Sequence, residues 1–197
     1  MTKRLFDILG SFFGLIFLFP LLIFIALWIK FDSKGPIFFR QNRVGQNGKL
    51  FKIHKFRTMK EFSESKGSLT IGADDRITYA GRFLRKFKFD ELPQLIDVFI
   101  GKMSLVGPRP EIEEFINIYP VQIRNKILFI KPGITDPASI MMMNENEILG
   151  KYKNPRQAYI RHILPIKQKY HLDYVHNYST LGDIKIIFST LKKIMSQ

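Results

Sequence analysis

From Ile8 to Ile29 the chain carries no charged residue. About 20 apolar residues let a helix cross a bilayer, so the pattern predicts a membrane-inserted helix as the first element. A secretory signal fits poorly. Its apolar stretch is usually about 7–15 residues and ends at a small-residue cleavage site, whereas this one runs into Lys30-Phe31-Asp32-Ser33-Lys34. Pro20 lies near the middle, where it lacks an N–H and obstructs the preceding turn. Two forms accommodate it: a kinked spanning helix, or a helix–break–helix that enters one leaflet and returns. Lys3 and Arg4 before the segment and Lys30, Lys34, Arg40 and Arg43 after it ask for the cytoplasmic side at both ends, which a straight span cannot satisfy. If the segment does span, the larger downstream basic excess still leaves the rest of the chain in the cytoplasm.

Beyond it the periods change. Ile37–Arg43 and Leu50–Phe56 flank Asn47-Gly48, a strong turn dipeptide, and Phe51 and Ile53 alternate with Lys52 and His54. This predicts a short hairpin with one basic edge. Residues 62–74, rich in Ser, Gly, Lys and Asp, read as a mobile loop. Asp75–Phe89 places Ile77, Phe83, Leu84 and Phe87 against Arg76, Arg82, Arg85 and Lys86 at helical spacing. A second helix over Leu92–Phe99 stops near Gly101. Gly107-Pro108-Arg109-Pro110 is a rigid turn, Glu111–Ile118 is helical, and Lys131-Pro132-Gly133 breaks the chain again. Gly182–Met195 is amphipathic, with Ile184, Ile187, Leu191 and Ile194 on one face. Such a helix packs on a core or lies on a membrane surface. The expected fold class is α+β and predominantly helical. Residues 1–31 form the membrane element and 32–197 a cytoplasmic, membrane-associated domain, with a small hairpin and amphipathic interfacial helices.

Composition narrows the function classes. Among 197 residues, 31 are Lys or Arg and 17 are Asp or Glu, giving a net charge of +14. So basic a chain seeks an anion: nucleic acid, lipid headgroups or a phosphorylated substrate. The absence of cysteine excludes disulfides, thiolate metal sites and thiol nucleophiles. There is no Walker loop, no GxGxxG after a strand, no HExxH and no GxSxG. The four histidines have no metal-ligand spacing and read as structural or surface residues.

One segment holds chemistry. In Arg85-Lys86-Phe87-Lys88-Phe89-Asp90-Glu91-Leu92-Pro93-Gln94-Leu95, two acids follow a run of cations in a chain poor in acids. The bland role for Asp90 is a helix N-cap, with Glu91 an ordinary first-turn acid. Neighbouring side chains diverge by about 100° on a helix, so the two carboxylates can also do different work: one holds a metal while the other attacks. Phosphoryl transfer needs such parts. Mg²⁺ takes one or two carboxylates plus substrate phosphates, guanidiniums hold the non-bridging oxygens, and an aspartate can serve as nucleophile. Arg57, Arg85 and Arg109 are candidate clamps. For Arg109, between two prolines, a surface ion pair is the plain alternative.

Four motifs carry a family resemblance: Lys55-Phe56-Arg57-Thr58-Met59, Asp90-Glu91-Leu92-Pro93-Gln94-Leu95, Met103-Ser104-Leu105-Val106-Gly107-Pro108-Arg109-Pro110 and Lys131-Pro132-Gly133-Ile134-Thr135. In order and spacing the chain resembles the monotopic phosphoglycosyl transferases, the bacterial sugar transferases, in their small minimal form. The resemblance implies transfer of a sugar 1-phosphate from a UDP-sugar to polyprenyl phosphate, with UMP released, as the first membrane step of bacterial glycan synthesis. It implies Asp90 as nucleophile of a covalent phospho-sugar intermediate and Glu91 as the Mg²⁺ ligand. Lys55, Arg57, Arg85 and Arg109 would hold phosphates or orient the carboxylates. It also implies a re-entrant N-terminal segment in the bacterial cytoplasmic membrane, with the catalytic domain on the cytoplasmic face. The implied partners are membrane lipids and the two substrates, with no nucleic acid and with room for downstream glycosyltransferases. Two departures stand out. Phe19 precedes Pro20 where many members have serine, and Asp136-Pro137-Ala138-Ser139 follows Thr135 where many continue Gly-Leu-Ala-Gln. The rival class is a membrane-tethered basic protein that binds anionic lipid or nucleic acid without catalysis, which leaves acids embedded among cations unexplained.

Overall fold

A computed structural model describes residues 2–61, 70–72 and 74–196. Most of the loop expected over 62–74 therefore lies outside the described residues. The first helix, α1, runs Thr2–Asp32 and continues through Pro20 as one helix. At about 1.5 Å per residue it is about 46 Å long. Its outer face is bare: Phe17 is 78% exposed, and Leu9, Phe13, Ile16, Phe24 and Phe31 are also exposed.

Its inner face lies along the rest of the chain, and both of its ends are fastened there. Lys3 Nζ pairs with Asp183 Oδ2 at 2.5 Å and donates to the Val106 carbonyl at 3.0 Å. Arg4 donates to the Val98 and Phe99 carbonyls. Buried Asp7 accepts from Ser104 Oγ at 3.0 Å and from the Leu105 N–H at 2.9 Å. At the other end, Ile25 and Ile29 pack with Phe56 and Leu84, and Asp32 Oδ2 accepts from the Ala80 N–H at 3.2 Å.

The hairpin forms as two short ladders. Strand β1 (Phe38–Phe39) pairs antiparallel with β4 (Lys55–Phe56), and β2 (Asn42–Val44) pairs antiparallel with β3 (Leu50–Lys52). Asn47 and Gly48 both have positive φ, 55° and 75°, as a tight hairpin turn asks of Asn-Gly. Phe51 and Ile53 point inward and meet Val98 and Met103.

The helix expected over Asp75–Phe89 is shorter. Thr78 caps it by accepting from the Gly81 N–H, and α2 spans Tyr79–Lys86. A 3₁₀ turn over Phe89–Glu91 then leads into α3 (Gln94–Phe99), which starts later than Leu92 because Pro93 stands at its N-cap. Strand β5 (Ser104–Val106) and β6 (Gly133–Thr135) form a parallel pair across a long crossover that holds α4 (Glu113–Ile116) and α5 (Val121–Leu128).

After β6 come α6 (Pro137–Met141), α7 (Glu145–Gly150), α8 (Pro155–Ala158), a π-helical turn over Tyr159–Ile163, α9 (Leu164–Asn177) and α10 (Thr180–Met195). Their shared core gathers Phe115, Ile116, Tyr119, Ile127, Leu149, Tyr159, Ile163 and Leu164. α10 is the least buried of these helices. Asp183 is fully covered, but Leu181, Phe188, Leu191 and Met195 stay exposed. The fold class is as expected: mostly helix, few short strands and one long apolar N-terminal helix.

The fastening of α1 gives a stability contrast. Asp7→Ala leaves the Leu105 N–H without its acceptor and the Ser104 hydroxyl with only the Val106 carbonyl, and should lower stability by about 1–3 kcal/mol. Phe17→Ala removes an exposed ring and should change it by less than about 0.5 kcal/mol in detergent. Thermal unfolding of the purified protein in one detergent checks both.

Candidate active site

The motifs far apart in sequence converge on one open cleft of about 2090 Å³. Two backbone devices set it up. The first is the turn before Asp90. Lys88, at φ 57° and ψ 20°, is left-handed and redirects the chain from α2 into the 3₁₀ turn. With three residues per turn, successive side chains of that turn diverge by about 120°. Asp90 is 1% exposed and Glu91 7%. Asp90 does not take the plain alternative role of N-cap, a position that Pro93 holds for α3. Its Oδ2 takes the Lys55 ammonium at 2.7 Å, while its Oδ1 is buried without a hydrogen-bond partner.

The second device is a lacing of two glycine turns. The Gly107 N–H donates to the Thr135 carbonyl and the Gly133 N–H to the Pro108 carbonyl, each at 3.0 Å. The chains approach so closely that a Cβ on Gly133 would collide with the Gly107 backbone. Glycine is required there for space. The lacing holds Arg109 between its prolines, and the Arg109 N–H is pinned at 2.8 Å by Asp136 Oδ2.

From that position Arg109 forks onto Glu91: Nη1 to Oε2 at 2.8 Å and Nη2 to Oε1 at 2.5 Å. Lys55 Nζ also lies 3.4 Å from Glu91 Oε1, so one ammonium bridges both acids. Burial works to raise the Glu91 carboxyl, but Arg109, Lys55 and Lys88 outweigh it and hold it well below the usual carboxylate range. Glu91 in turn raises the Arg109 guanidinium.

Two expected clamps sit differently. Arg85 donates from Nε to Thr58 Oγ1 at 2.8 Å and from Nη1 to Thr70 Oγ1 at 2.9 Å. Both partners are neutral, so its charge stays uncompensated by contact. Arg57 points back along the chain, donating to the Ser33 carbonyl at 2.8 Å and to the Lys34 carbonyl. It lines the cleft but braces the residues that follow α1.

Two residues of the site escaped sequence reading. Asp136 is wholly buried and caps α6 by accepting from the Ser139 N–H at 2.5 Å. It shares a 2.8 Å hydrogen bond with His171 Nε2. Burial pushes its carboxyl up, yet His171 and the two N–H groups prevail and bring it to about 2. Asp-Pro is a helix-start signal, so its capping was legible; its hold on Arg109 was not. Lys88 is the other, and no local signal marked it.

For a metal, the carboxylate positions with acceptor capacity left are Asp90 Oδ1, which is open, and Glu91 Oε2, which has taken one bond and keeps a second lone pair. Among the described residues no group of three ligating side chains gathers, so protein groups alone do not cage an ion there.

The cleft continues away from these charges along an apolar wall that includes Leu18 of α1, Leu95 and Leu105, with Ile187 and Leu191 of α10. A charged floor and an apolar flank therefore share one opening.

A family model described as bacterial sugar transferase matches residues 1–197. Over 197 residues the chain is 36% identical to the Bacillus subtilis protein named uncharacterized sugar transferase EpsL, covering 99% of this chain and 88% of that one. It is 34% identical to the Aeromonas hydrophila UDP-N-acetylgalactosamine-undecaprenyl-phosphate N-acetylgalactosaminephosphotransferase, covering 98% of this chain and 44% of the relative. It is 37% identical to the Escherichia coli UDP-glucose:undecaprenyl-phosphate glucose-1-phosphate transferase, covering 98% and 40%. The chain thus spans less than half the length of the two relatives whose names state an activity.

Asp136 supplies a pH prediction. Its folded value of about 2 lies below the ordinary 3.8. Its contribution is therefore complete above about pH 4 and disappears as pH falls toward 2, a swing of about 2–3 kcal/mol. Asp136→Asn should be less stable at neutral pH and should lose that part of the acid sensitivity. Unfolding midpoints of both proteins between pH 2 and 7 measure it.

Proposed function

Because the chain belongs to the bacterial sugar transferase family, we propose that it transfers a sugar 1-phosphate from a UDP-sugar to a polyprenyl phosphate, giving a polyprenyl diphosphate sugar and UMP. The observation that carries this reading is Asp90. Its Oδ1 is buried, unpartnered and at a cation-lined cleft, while its Oδ2 is anchored by Lys55. A carboxylate held in that way is oriented for attack before any substrate arrives.

In the first half of the reaction, Asp90 Oδ1 attacks the phosphorus that bears the sugar. The O–P bond to Asp90 forms as the bond to the UMP oxygen breaks, and UMP leaves with that electron pair. In the second half, a phosphate oxygen of the lipid attacks the same phosphorus. The Asp90–phosphorus bond breaks and the carboxylate is restored. One phosphate-sized position serves both halves, which suits a single charged floor with an apolar flank for the lipid tail. Lys55 anchors Asp90 Oδ2 at 2.7 Å in the resting site. Arg109 keeps Glu91 ionised and fixed by its fork.

The donor set fits Mg²⁺, which takes one or two carboxylates and completes its shell with phosphate oxygens and water. Glu91 is the residue that would hold it, through the acceptor capacity left on Oε2. When bound, Mg²⁺ neutralises diphosphate charge and so favours departure of UMP.

The same reading puts α1 into the cytoplasmic leaflet as a re-entrant element, with residues 32–197 on the cytoplasmic face. Its support is the fastening of both helix ends to one body: Lys3, Arg4 and Asp7 at one end, Asp32 at the other. A straight span would carry the two ends to opposite sides of the bilayer.

The test is UMP release by the full chain in detergent or membranes, with a panel of UDP-sugars and undecaprenyl phosphate, across a Mg²⁺ titration. Asp90→Asn should lose at least about 10³-fold in turnover while keeping its unfolding midpoint. Turnover by Asp90→Asn near the wild-type rate rejects Asp90 as nucleophile. Glu91→Gln should shift the Mg²⁺ optimum upward and lower the maximal rate, and an unchanged Mg²⁺ titration would reject it as ligand.

A further inference from the structure

Charges in the cleft floor match two against two at contact distance. Lys55 bridges Asp90 and Glu91, and Arg109 forks onto Glu91. These four groups cancel, so they offer an incoming anion no net attraction. Arg57 is engaged with the carbonyls of Ser33 and Lys34. A substrate phosphate needs positive charge that the resting site has not already used.

Lys88 supplies it. It is half-buried and lines the same cleft, and its ammonium forms no hydrogen bond or ion pair with the described residues. It lines the cleft together with Lys55, Asp90, Glu91 and Arg109, and the charges of all four act on its ammonium. Burial pulls it below the usual lysine value, opposite to the effect of a close carboxylate partner. Beside it in sequence, Arg85 spends two donors on neutral threonines.

The backbone gives an independent pointer. Lys88 stands just past the end of α2 in the left-handed region, at φ 57°. Glycine or asparagine is the ordinary occupant of that position, and a residue with a long side chain is disfavoured there. Residues held in costly backbone regions cluster at functional sites. A lysine where glycine would be cheaper needs a reason in its side chain.

We propose that Lys88, with Arg85 beside it, is the cation that receives the substrate phosphoryl group in this cleft, while Lys55 and Arg109 remain bound to the two acids. The inference rests on the transferase reading above and adds to it a residue for the diphosphate of the nucleotide sugar and the phosphate of the lipid. Adding Lys88 and Arg85 takes the six charged groups from balance to a surplus of two positive charges, suited to a phosphate dianion. The plain alternative is that Lys88 only offsets the negative end of the α2 dipole.

The experiment uses the full chain and three substitutions that separate charge from backbone. Lys88→Asn and Lys88→Gly remove the ammonium but tolerate positive φ, so their unfolding midpoints should equal or exceed the wild-type value. Their kcat/KM for the UDP-sugar should fall by about 10- to 100-fold, and inorganic pyrophosphate should inhibit them correspondingly more weakly. Lys88→Arg keeps the charge and should stay within about threefold of wild type, since a guanidinium also binds phosphate. Wild-type turnover with Lys88→Asn and Lys88→Gly both within about threefold of it overturns the inference and leaves the transferase reading intact. Equal loss in Lys88→Arg and Lys88→Asn also overturns it, because charge is then not what matters. No UMP release by the wild type with any sugar of the panel overturns the underlying reading instead.

Discussion

Two adjacent carboxylates taken out of water repel each other, and each loses solvation that only cations or hydrogen bonds can replace. The fold around Asp90 and Glu91 answers that constraint. Lys55 arrives from the hairpin, Arg109 from a turn clamped by β5 and β6, and the carboxylates from a short turn that α2 cannot reach without a left-handed residue. Removing either cation leaves a buried charge uncompensated, which is more damaging than the loss of the ion pair itself. The site is therefore a load shared among three separate chain segments, and its geometry reports on all of them.

Much of this was legible in the chain. The charge-free run Ile8–Ile29 marked α1, Asn47-Gly48 fixed the hairpin register, and the acids embedded among cations marked the chemistry. Three things were not legible. The route that takes Asp90 out of the N-cap position was hidden: Lys88 takes a left-handed conformation that diverts the chain into a 3₁₀ turn. A lysine gives no local warning of that choice. Arg57 was grouped with the clamps as a cation near the site, but it stands just past the end of β4 and its guanidinium turns to the carbonyls of the residues after α1, a long-range contact that local pattern does not encode. Asp136 looked like a departure from a pattern. Its role in holding the Arg109 N–H depends on the parallel pairing of β5 with β6, a contact between distant segments that local periodicity does not encode.

The apolar and charged parts of the molecule are joined through α1. Its inner face carries Asp7, whose carboxylate is tied to the edge of β5 at Ser104 and Leu105. Gly107 and the Arg109 turn follow β5 directly. A short run of contacts thus links α1 to the arginine that clamps Glu91.

The pairing of Lys3 with Asp183 joins positions 180 apart in sequence. During synthesis the first turn of α1 leaves the ribosome long before the acid that neutralises its lysine exists. Contacts of such long separation form late, since closing the chain between them costs entropy before they contribute anything. Until Asp183 is in place, Lys3 has only the neutral acceptors Val106 O and Tyr174 Oη, so the charged contact that fastens this end of α1 closes last.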